Sequence, residues 1–177
     1  MTAITKHITS LIFGSEPSEE EYPDPDEVTV TPEQATLLGV LRHADTPLHS
    51  QQRLQKYMFL IDEALDEKYS LYVWKSYDYG PYSKSLKQDV NTLARKGLLI
   101  EETRQTLGGN TRRYYHLTDA GSNVLDDVLG HGDDFTELME YVEKIVTEHD
   151  DIPLSNLMWD VIDEYPEYNK TVYKPTR

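Results

Sequence analysis

The sequence predicts a mostly α-helical domain that carries one small β-hairpin and continues into additional helices. Three observations lead to this fold class. Apolar residues recur at steps of three and four through separate stretches between residues 31 and 165. Two β-prone stretches are separated only by Gly108, Gly109 and Asn110, which is a tight-turn composition. The length of 177 residues allows one domain, or one domain with a helical appendage.

The first predicted helix begins after Thr31. Thr31 offers an N-cap oxygen, Pro32 suits the first helical position, and Gln34 completes the pattern of a capping box. Asp45–Pro47 ends this helix. Residues 1–30, which precede it, are predicted to form an acidic, flexible tail, because this part of the chain contains many acids and prolines and little to bury.

A second helix is predicted at residues 50–65, where apolar residues again fall on one face. Residues 69–79 are aromatic and β-prone, which indicates a short strand or an extended connection that ends at Gly80–Pro81. Aromatic side chains are denser here than a turn needs. They either cover the edge of the core or form an exposed rim that binds a partner. The candidates for that rim are Tyr77, Tyr79 and Tyr82.

The third predicted helix, residues 83–96, has two contrasting sides. Leu86, Val90 and Leu93 form a narrow apolar stripe, and Gly97 is a favourable residue for the C-terminal end. The opposite side carries basic and amide side chains, within about 100° of arc on a helix of ~3.6 residues per turn. These side chains are Lys84, Lys87, Gln88, Asn91 and Arg95.

Two strands are predicted next, at Leu98–Leu107 and Thr111–Leu117, and they form a hairpin around the glycine-rich turn. The polar residues at and beside the turn are candidates for a second contact surface. They are Arg104, Asn110, Arg112 and Arg113.

Three further helices are predicted at residues 118–129, 134–149 and 154–165. The apolar stripe of the middle helix fits packing within one chain and an interface between two copies equally well. As the leading interface candidates of a predicted homodimer we take Phe135, Leu138, Val142 and Ile145.

Three helices followed by a hairpin is the element order of a winged helix-turn-helix domain. Residues 31–130 are therefore predicted to form this domain, and residues 131–177 a C-terminal helical extension that packs on it or dimerises. In this fold the third helix is the recognition helix and the hairpin is the wing.

The charge of the chain is strongly negative but unevenly distributed. The formal net charge is −15, which is typical of a solvated surface, for example in a salt-loving organism, and disfavours nonspecific binding to nucleic acid. Residues 75–113 nevertheless contain eight Lys or Arg and four acids. A local basic region in an acidic chain is more informative than the total.

These features predict sequence-specific binding to double-stranded DNA and transcriptional control. Lys and Arg neutralise phosphates, and Gln and Asn pair with adenine in the major groove. Two alternatives remain open. A polar helix face is also what most solvated helices show, and Glu101 and Glu102 on the hairpin weaken the case. The same fold can serve as an antitoxin-like or adaptor module that binds a protein through its aromatic rim.

Other classes of protein lack support in the sequence. There is no cysteine, so disulfide scaffolds and thiolate metal sites are excluded. The acidic turns at His131–Asp134 and His149–Asp151 lack the spacing of a zinc helix, and no nucleophile elbow or phosphate loop is present. No apolar run reaches the roughly 20 residues of a membrane span. We therefore expect a cytoplasmic protein with no catalytic site, metal or cofactor.

Several motifs resemble a known family. Gln55–Tyr57, Tyr79–Ser83, Asp89 and Tyr165–Tyr168 resemble motifs of the uncharacterised YwgA-like proteins, over about residues 35–170. Tyr79–Ser83 is more loosely similar to a loop of the Panacea antitoxin domain. Tyr114–Leu125 is similar to the wing strand and following helix of MarR- and PadR-type regulators. The resemblance implies a winged-helix-like fold without known catalysis, and the antitoxin-like relatives imply binding to proteins.

Overall fold

The computed structural model describes residues 28–45, 47–65, 70–130 and 133–170. In these residues the chain is mostly helical and carries a small antiparallel sheet. The helices are α1 (Pro32–His43), α2 (Gln51–Ala64), α3 (Lys84–Arg95), α4 (Asp119–Gly130), α5 (Asp133–His149) and α6 (Leu154–Glu164), followed by a 3₁₀ turn at Pro166–Tyr168. The strands are β1 (Leu48–His49), β2 (Lys75–Tyr77), β3 (Gly80–Tyr82), β4 (Leu99–Gln105) and β5 (Thr111–Leu117).

The strands form two separate sheets. The larger has the order β1-β5-β4, and both of its pairs are antiparallel. The hairpin of β4 and β5 matches the sequence prediction. Strand β1 was not predicted, because two residues are too few to show an alternating pattern in the sequence. The second sheet is the short hairpin of β2 and β3. Gly80 and Pro81, predicted to end the aromatic stretch, instead form its return strand.

Helix α1 lies at the centre of the molecule. Its residues from Gln34 to Leu41 are all buried, as expected of a helix that is packed on several sides. Helices α4 and α5 pack against α1, while α5 and α6 pack against α2. The C-terminal helices thus complete one continuous core with the preceding helices. The start of α1 has the predicted capping box, in which Thr31 and Gln34 bond each other's backbone.

The apolar stripe of α5 belongs to this core, which corrects one expectation. All four proposed dimer-interface residues are buried within the chain. Gly39 on α1 lets α5 approach closely, since a Cβ built on Gly39 would overlap the sulfur of Met139. The stripe therefore packs within one chain and has no surface left for a second copy. The residues concerned are Phe135, Leu138, Val142 and Ile145.

Parts of the sequence prediction lie outside the described residues. These are residues 1–27 of the predicted tail, Thr46, residues 66–69, His131, Gly132 and residues 171–177. Val30, assigned to the tail, is buried against the core, so the packed part of the chain begins slightly before the predicted boundary.

Candidate nucleic-acid interface

Helix α3 presents its polar side to solvent. Ser83 is the N-cap, and its hydroxyl accepts from the backbone N–H of Leu86. Leu86, Val90 and Leu93 are buried, as their spacing predicted. The five predicted contact residues on the opposite side are all exposed: Lys84, Lys87, Gln88, Asn91 and Arg95.

Buried hydrogen bonds fix the start of α3. The Gln55 side chain donates to the Ser83 carbonyl at 3.0 Å and accepts from the Ser83 N–H at 2.8 Å. A side-chain amide that satisfies both backbone groups of one residue holds it in one position. These contacts attach the N-terminal end of α3 to α2.

Asp89, the acidic residue of α3, accepts hydrogen bonds from the neighbouring elements. Asp89 accepts from Gln34 Nε2 at 2.8 Å and from the Tyr72 hydroxyl at 3.0 Å. These bonds tie α3 to α1 and to the segment before β2. Sequence patterns did not identify Gln34, Gln55 or Asp89 as positioning residues, because their partners are distant in sequence.

Arg113 of β5 shares a crevice with α3. Lys87 and Asn91 line this crevice together with Glu101 and Arg113. Its volume of about 10 Å³ leaves room for one water molecule at most. The helix face and this part of the hairpin therefore form one continuous surface.

The position of Arg113 is fixed by several contacts. Its guanidinium donates to Gln51 Oε1 at 2.6 Å and pairs with Glu101 at 3.1 Å. Its carbonyl accepts from the Ser50 N–H at 2.9 Å. Ser50 has a φ of 81°, an uncommon value for a residue with a side chain. The junction of β1 and α2 thus holds Arg113 beside α3.

The other two arginines of the hairpin lie on its opposite face. Arg104 pairs directly with Arg112, and Thr103 pairs with Arg113. Since successive side chains of a strand alternate between the faces of a sheet, Arg112 and Arg113 point in opposite directions. The three arginines therefore do not share one face of the hairpin, and their contact with DNA stays a prediction.

Arg104 is also engaged with its neighbours. Its guanidinium bonds both oxygens of Glu102, at 2.7 and 2.8 Å, and its Cζ lies 4.6 Å from the centre of the Tyr114 ring. The bond from Arg104 is the main cause that lowers the pKa of Glu102. Arg112 is exposed and forms no ion pair within the described part of the chain.

The tip of the hairpin is small and open. Gly109 has a φ of 77°, and the Thr106 N–H donates to the Asn110 carbonyl at 2.8 Å. Asn110 is exposed, as expected of a contact residue at the tip. Leu107 is fully exposed there as well, an apolar tip residue that the polar pattern of the sequence obscured.

The predicted aromatic rim lies on the hairpin of β2 and β3. Tyr77 and Tyr79 are 53% and 50% exposed, and Tyr82 is half-buried. The rings of Tyr77 and Tyr82 lie 5.2 Å apart. Below them the buried Lys56 donates to the Pro81 carbonyl at 3.0 Å, and burial lowers the pKa of Lys56 to about 8. Two of the three predicted rim residues are thus available to a partner.

Metal-binding and membrane-spanning features are lacking among the residues described above. No group of three or more His, Asp or Glu side chains in them is placed to hold a metal ion. No helix among them has the length and apolar content to cross a bilayer. No protein-family model matches this chain. A search of curated proteins likewise finds no match.

Proposed function

We propose that this chain is a winged-helix protein that binds double-stranded DNA and acts in transcriptional control, without catalysis. The element order α1, β1, α2, α3, β4, β5 supports a winged helix, with the hairpin of β2 and β3 inserted before α3. The sheet order, in which β1 lies beside β5, supports it further. The proposed relation to YwgA-like proteins is consistent with this arrangement.

One observation carries the proposal: basic and amide side chains from two elements lie on one accessible surface. Lys87 and Asn91 of α3 meet Arg113 of β5 at the crevice, and Lys84 and Gln88 extend the same helix face. Helices α5 and α6 pack against α1 and α2, and the polar face of α3 stays exposed. A helix with this face fits the major groove.

The residues have distinct roles in the proposed complex. Lys84, Lys87 and Arg95 neutralise phosphates, which supplies affinity that does not depend on sequence. Gln88 and Asn91 contact base edges and supply specificity. Arg113, held by Gln51 and Glu101, contributes a pre-positioned guanidinium at the base of the wing.

The wing adds contacts from its tip. Asn110 and Arg112 are exposed and flank the turn, where they can reach the DNA backbone. Arg104 contributes from the outer face of the hairpin once its pairing with Glu102 is exchanged for a phosphate. We also propose that the chain forms a homodimer, as many proteins that bind paired half-sites do. Its interface would consist of residues other than the buried apolar stripe of α5.

Occupancy mapping in the native cell tests this function. The tagged full chain is cross-linked and its bound DNA is sequenced, beside the variant Asn91→Ala. We expect a shared sequence motif at occupied sites, and a changed base preference at one position of that motif for Asn91→Ala. A lost bidentate contact corresponds to about 1–3 kcal/mol of discrimination.

The matched control is Lys144→Ala, because Lys144 is an exposed lysine on α5, away from α3. This variant should occupy the same sites as the unmodified chain. Occupancy without any shared motif, or identical preferences for Asn91→Ala and the unmodified chain, would contradict sequence-specific recognition by α3.

An adaptor that binds a protein is the second candidate. The half-exposed rings of Tyr77 and Tyr79 favour it, since exposed aromatic side chains are enriched at protein interfaces. Affinity capture of the full chain and of Tyr77→Ser/Tyr79→Ser, in buffer of native salt content, tests this role. A protein captured only by the unmodified chain supports it, and equal capture by both contradicts it.

A further inference from the structure

Strand β4 forms one edge of the larger sheet. It pairs with β5 on one side, and the order β1-β5-β4 places no described strand on the other. Natural edge strands are commonly protected by proline, lysine or a bulge. Strand β4 contains no Pro or Lys, and it pairs with β5 from Leu99 to Gln105 without a bulge. Its outer edge is therefore suited to pairing with a further strand.

The hydrogen bonds at both ends of β4 show which backbone groups point away from β5. The Thr118 N–H donates to the Leu98 carbonyl at 3.3 Å, and the Thr106 N–H donates to the Asn110 carbonyl at 2.8 Å. In an antiparallel pair such bonds recur at every second residue. The even-numbered residues of β4 therefore bond to β5, and the N–H and C=O groups of the odd-numbered residues point outward.

Three of these outward residues lie where the strand is accessible. Thr103 and Gln105 are exposed, and Glu101 is partly buried. Their backbone N–H and C=O groups form no hydrogen bond with any other described residue. An added strand would satisfy them through main-chain hydrogen bonds, as in recognition by strand addition.

The sequence of β4 is complementary to itself in one antiparallel register. When two copies pair around Thr103, Glu102 of each copy lies opposite Arg104 of the other. These positions are not hydrogen-bonded to the second copy, and there the Cα atoms are about 4.5 Å apart and the side chains are closest. Opposite charges at such positions stabilise a strand pair and like charges destabilise it. Moving the centre by one residue places either Glu102 or Arg104 opposite itself, so charge selects the register around Thr103.

Both charged side chains are accessible to a second copy. The side chains of Glu102 and Arg104 are 39% and 54% exposed, and they already bond each other along the strand. A second copy would add another opposite charge beside each of them. The acid and the base would then alternate across the interface.

We propose that β4 is the interface of a homodimer, in which the β4 strands of two copies pair antiparallel around Thr103 and join their sheets. Thr103 bonds Thr103 of the second copy, and Glu101 bonds Gln105 of the second copy through both backbone groups. This inference specifies the homodimer suggested above. It does not depend on DNA binding, because its test contains no DNA.

Sedimentation velocity of the full chain over a series of concentrations tests the interface. Salt is kept at about 0.15 M, where repulsion between two negatively charged copies is screened beyond about 8 Å. We expect a reversible equilibrium between monomer and dimer, because pairing through a strand of seven residues buries less area than a permanent interface. A chain that stays monomeric at every concentration overturns the proposal and leaves the edge to a strand of another protein or to solvent.

Thr103→Pro removes the backbone N–H at the centre of the interface. Because this N–H points outward, the fold of the single chain should persist, which thermal unfolding checks. Dimerisation should weaken at least about tenfold, since each copy loses a hydrogen bond at the centre. The matched control is Thr103→Val, which keeps the N–H and should dimerise within about twofold of the unmodified chain. Equal dimerisation of the Pro and Val variants overturns the strand pairing.

Two charge variants test the register without a change in the backbone. Glu102→Arg and Arg104→Glu each place like charges opposite one another in a homodimer, so each alone should dimerise about threefold to tenfold more weakly. A mixture of the two variants brings opposite charges together and should form a heterodimer within about threefold of the unmodified affinity. An effect of overall charge would instead strengthen self-association of Glu102→Arg, because this change makes the acidic chain less negative. That result, or a mixture that associates no better than either variant alone, overturns the register around Thr103.

Discussion

The salt dependence of DNA binding gives a quantitative test of the proposed interface. Each phosphate neutralised by Lys or Arg contributes about −0.9 to the slope of log K against log salt concentration. Four exposed cations among the proposed contact residues form no ion pair with described residues: Lys84, Lys87 and Arg95 on α3, and Arg112 on the other face of the hairpin. Arg104 and Arg113 are already paired with Glu102 and Glu101, so they add less.

These four residues predict a slope of about −3.6 for a single chain on duplex DNA. Affinity should then fall roughly 150-fold between about 50 and 200 mM salt. The variant Lys84→Ala/Lys87→Ala removes two contacts, so its slope should be about −1.8 and its loss over the same range about 12-fold. Fluorescence anisotropy with a labelled duplex from an occupied site measures both slopes.

A lysine elsewhere on the surface provides the control. Lys87→Ala should reduce the steepness of the slope by about 0.9, and Lys144→Ala on α5 should leave it unchanged. If both single variants change the slope equally, the chain attracts DNA through its general charge and the surface on α3 is not the contact site. If neither changes it, Lys87 does not neutralise a phosphate.

Three further predictions concern the scaffold. A Cβ on Gly121 would overlap the backbone oxygen of Leu98, so Gly121→Ala should lower the free energy of unfolding by about 1–3 kcal/mol, measured by urea titration. The control is Gly130→Ala, where a Cβ has open space. Equal stability of the two variants would contradict the overlap. Burial lowers the pKa of Lys56 to about 8, so the unfolded chain binds the Lys56 proton more tightly than the folded chain does. The free energy of unfolding should therefore rise with pH from about 8 towards the ordinary pKa of lysine. Lys56→Met should lack this rise, and parallel pH profiles of the two chains would refute the prediction. Arg53 donates to three carbonyl groups at and after the end of α5, so Arg53→Ala should cost about 2–3 kcal/mol of unfolding free energy, and a loss below about 0.5 kcal/mol would exclude this role.

Local chemistry made much of the fold predictable. The cap at Thr31 depends on residues three positions apart, and the apolar stripe of α3 depends on one helical face, so both could be found from the sequence. The β2–β3 hairpin was harder to predict. Pro81 lacks an N–H and usually marks an end of regular structure, whereas here it pairs opposite Ser76 at an edge.

The face of the hairpin on which each arginine lies could be assigned only from the three-dimensional structure. Alternation along β5 shows that Arg112 and Arg113 point apart, but not which of them faces α3. That choice is made by the burial of Tyr115, which directs every second side chain of β5 towards the helices. The partner of the α5 stripe was undetermined for a similar reason, because apolar spacing is the same for a core and for an interface.

The acidity of the chain raises the question of how the proposed surface could approach DNA. Over the proposed surface the nearby acids are already engaged: Asp89 bonds Gln34 and Tyr72, while Glu101 and Glu102 pair with arginines. More distant acids act through solvent, where screening limits their reach to about 8 Å at physiological salt and about 3 Å near 1 M. Raising the salt concentration therefore weakens long-range repulsion by the rest of the chain as well as attraction to phosphates. In the proposed complex the direct contacts of Gln88 and Asn91 would then account for a larger share of the affinity, since amide hydrogen bonds to bases release no counterions.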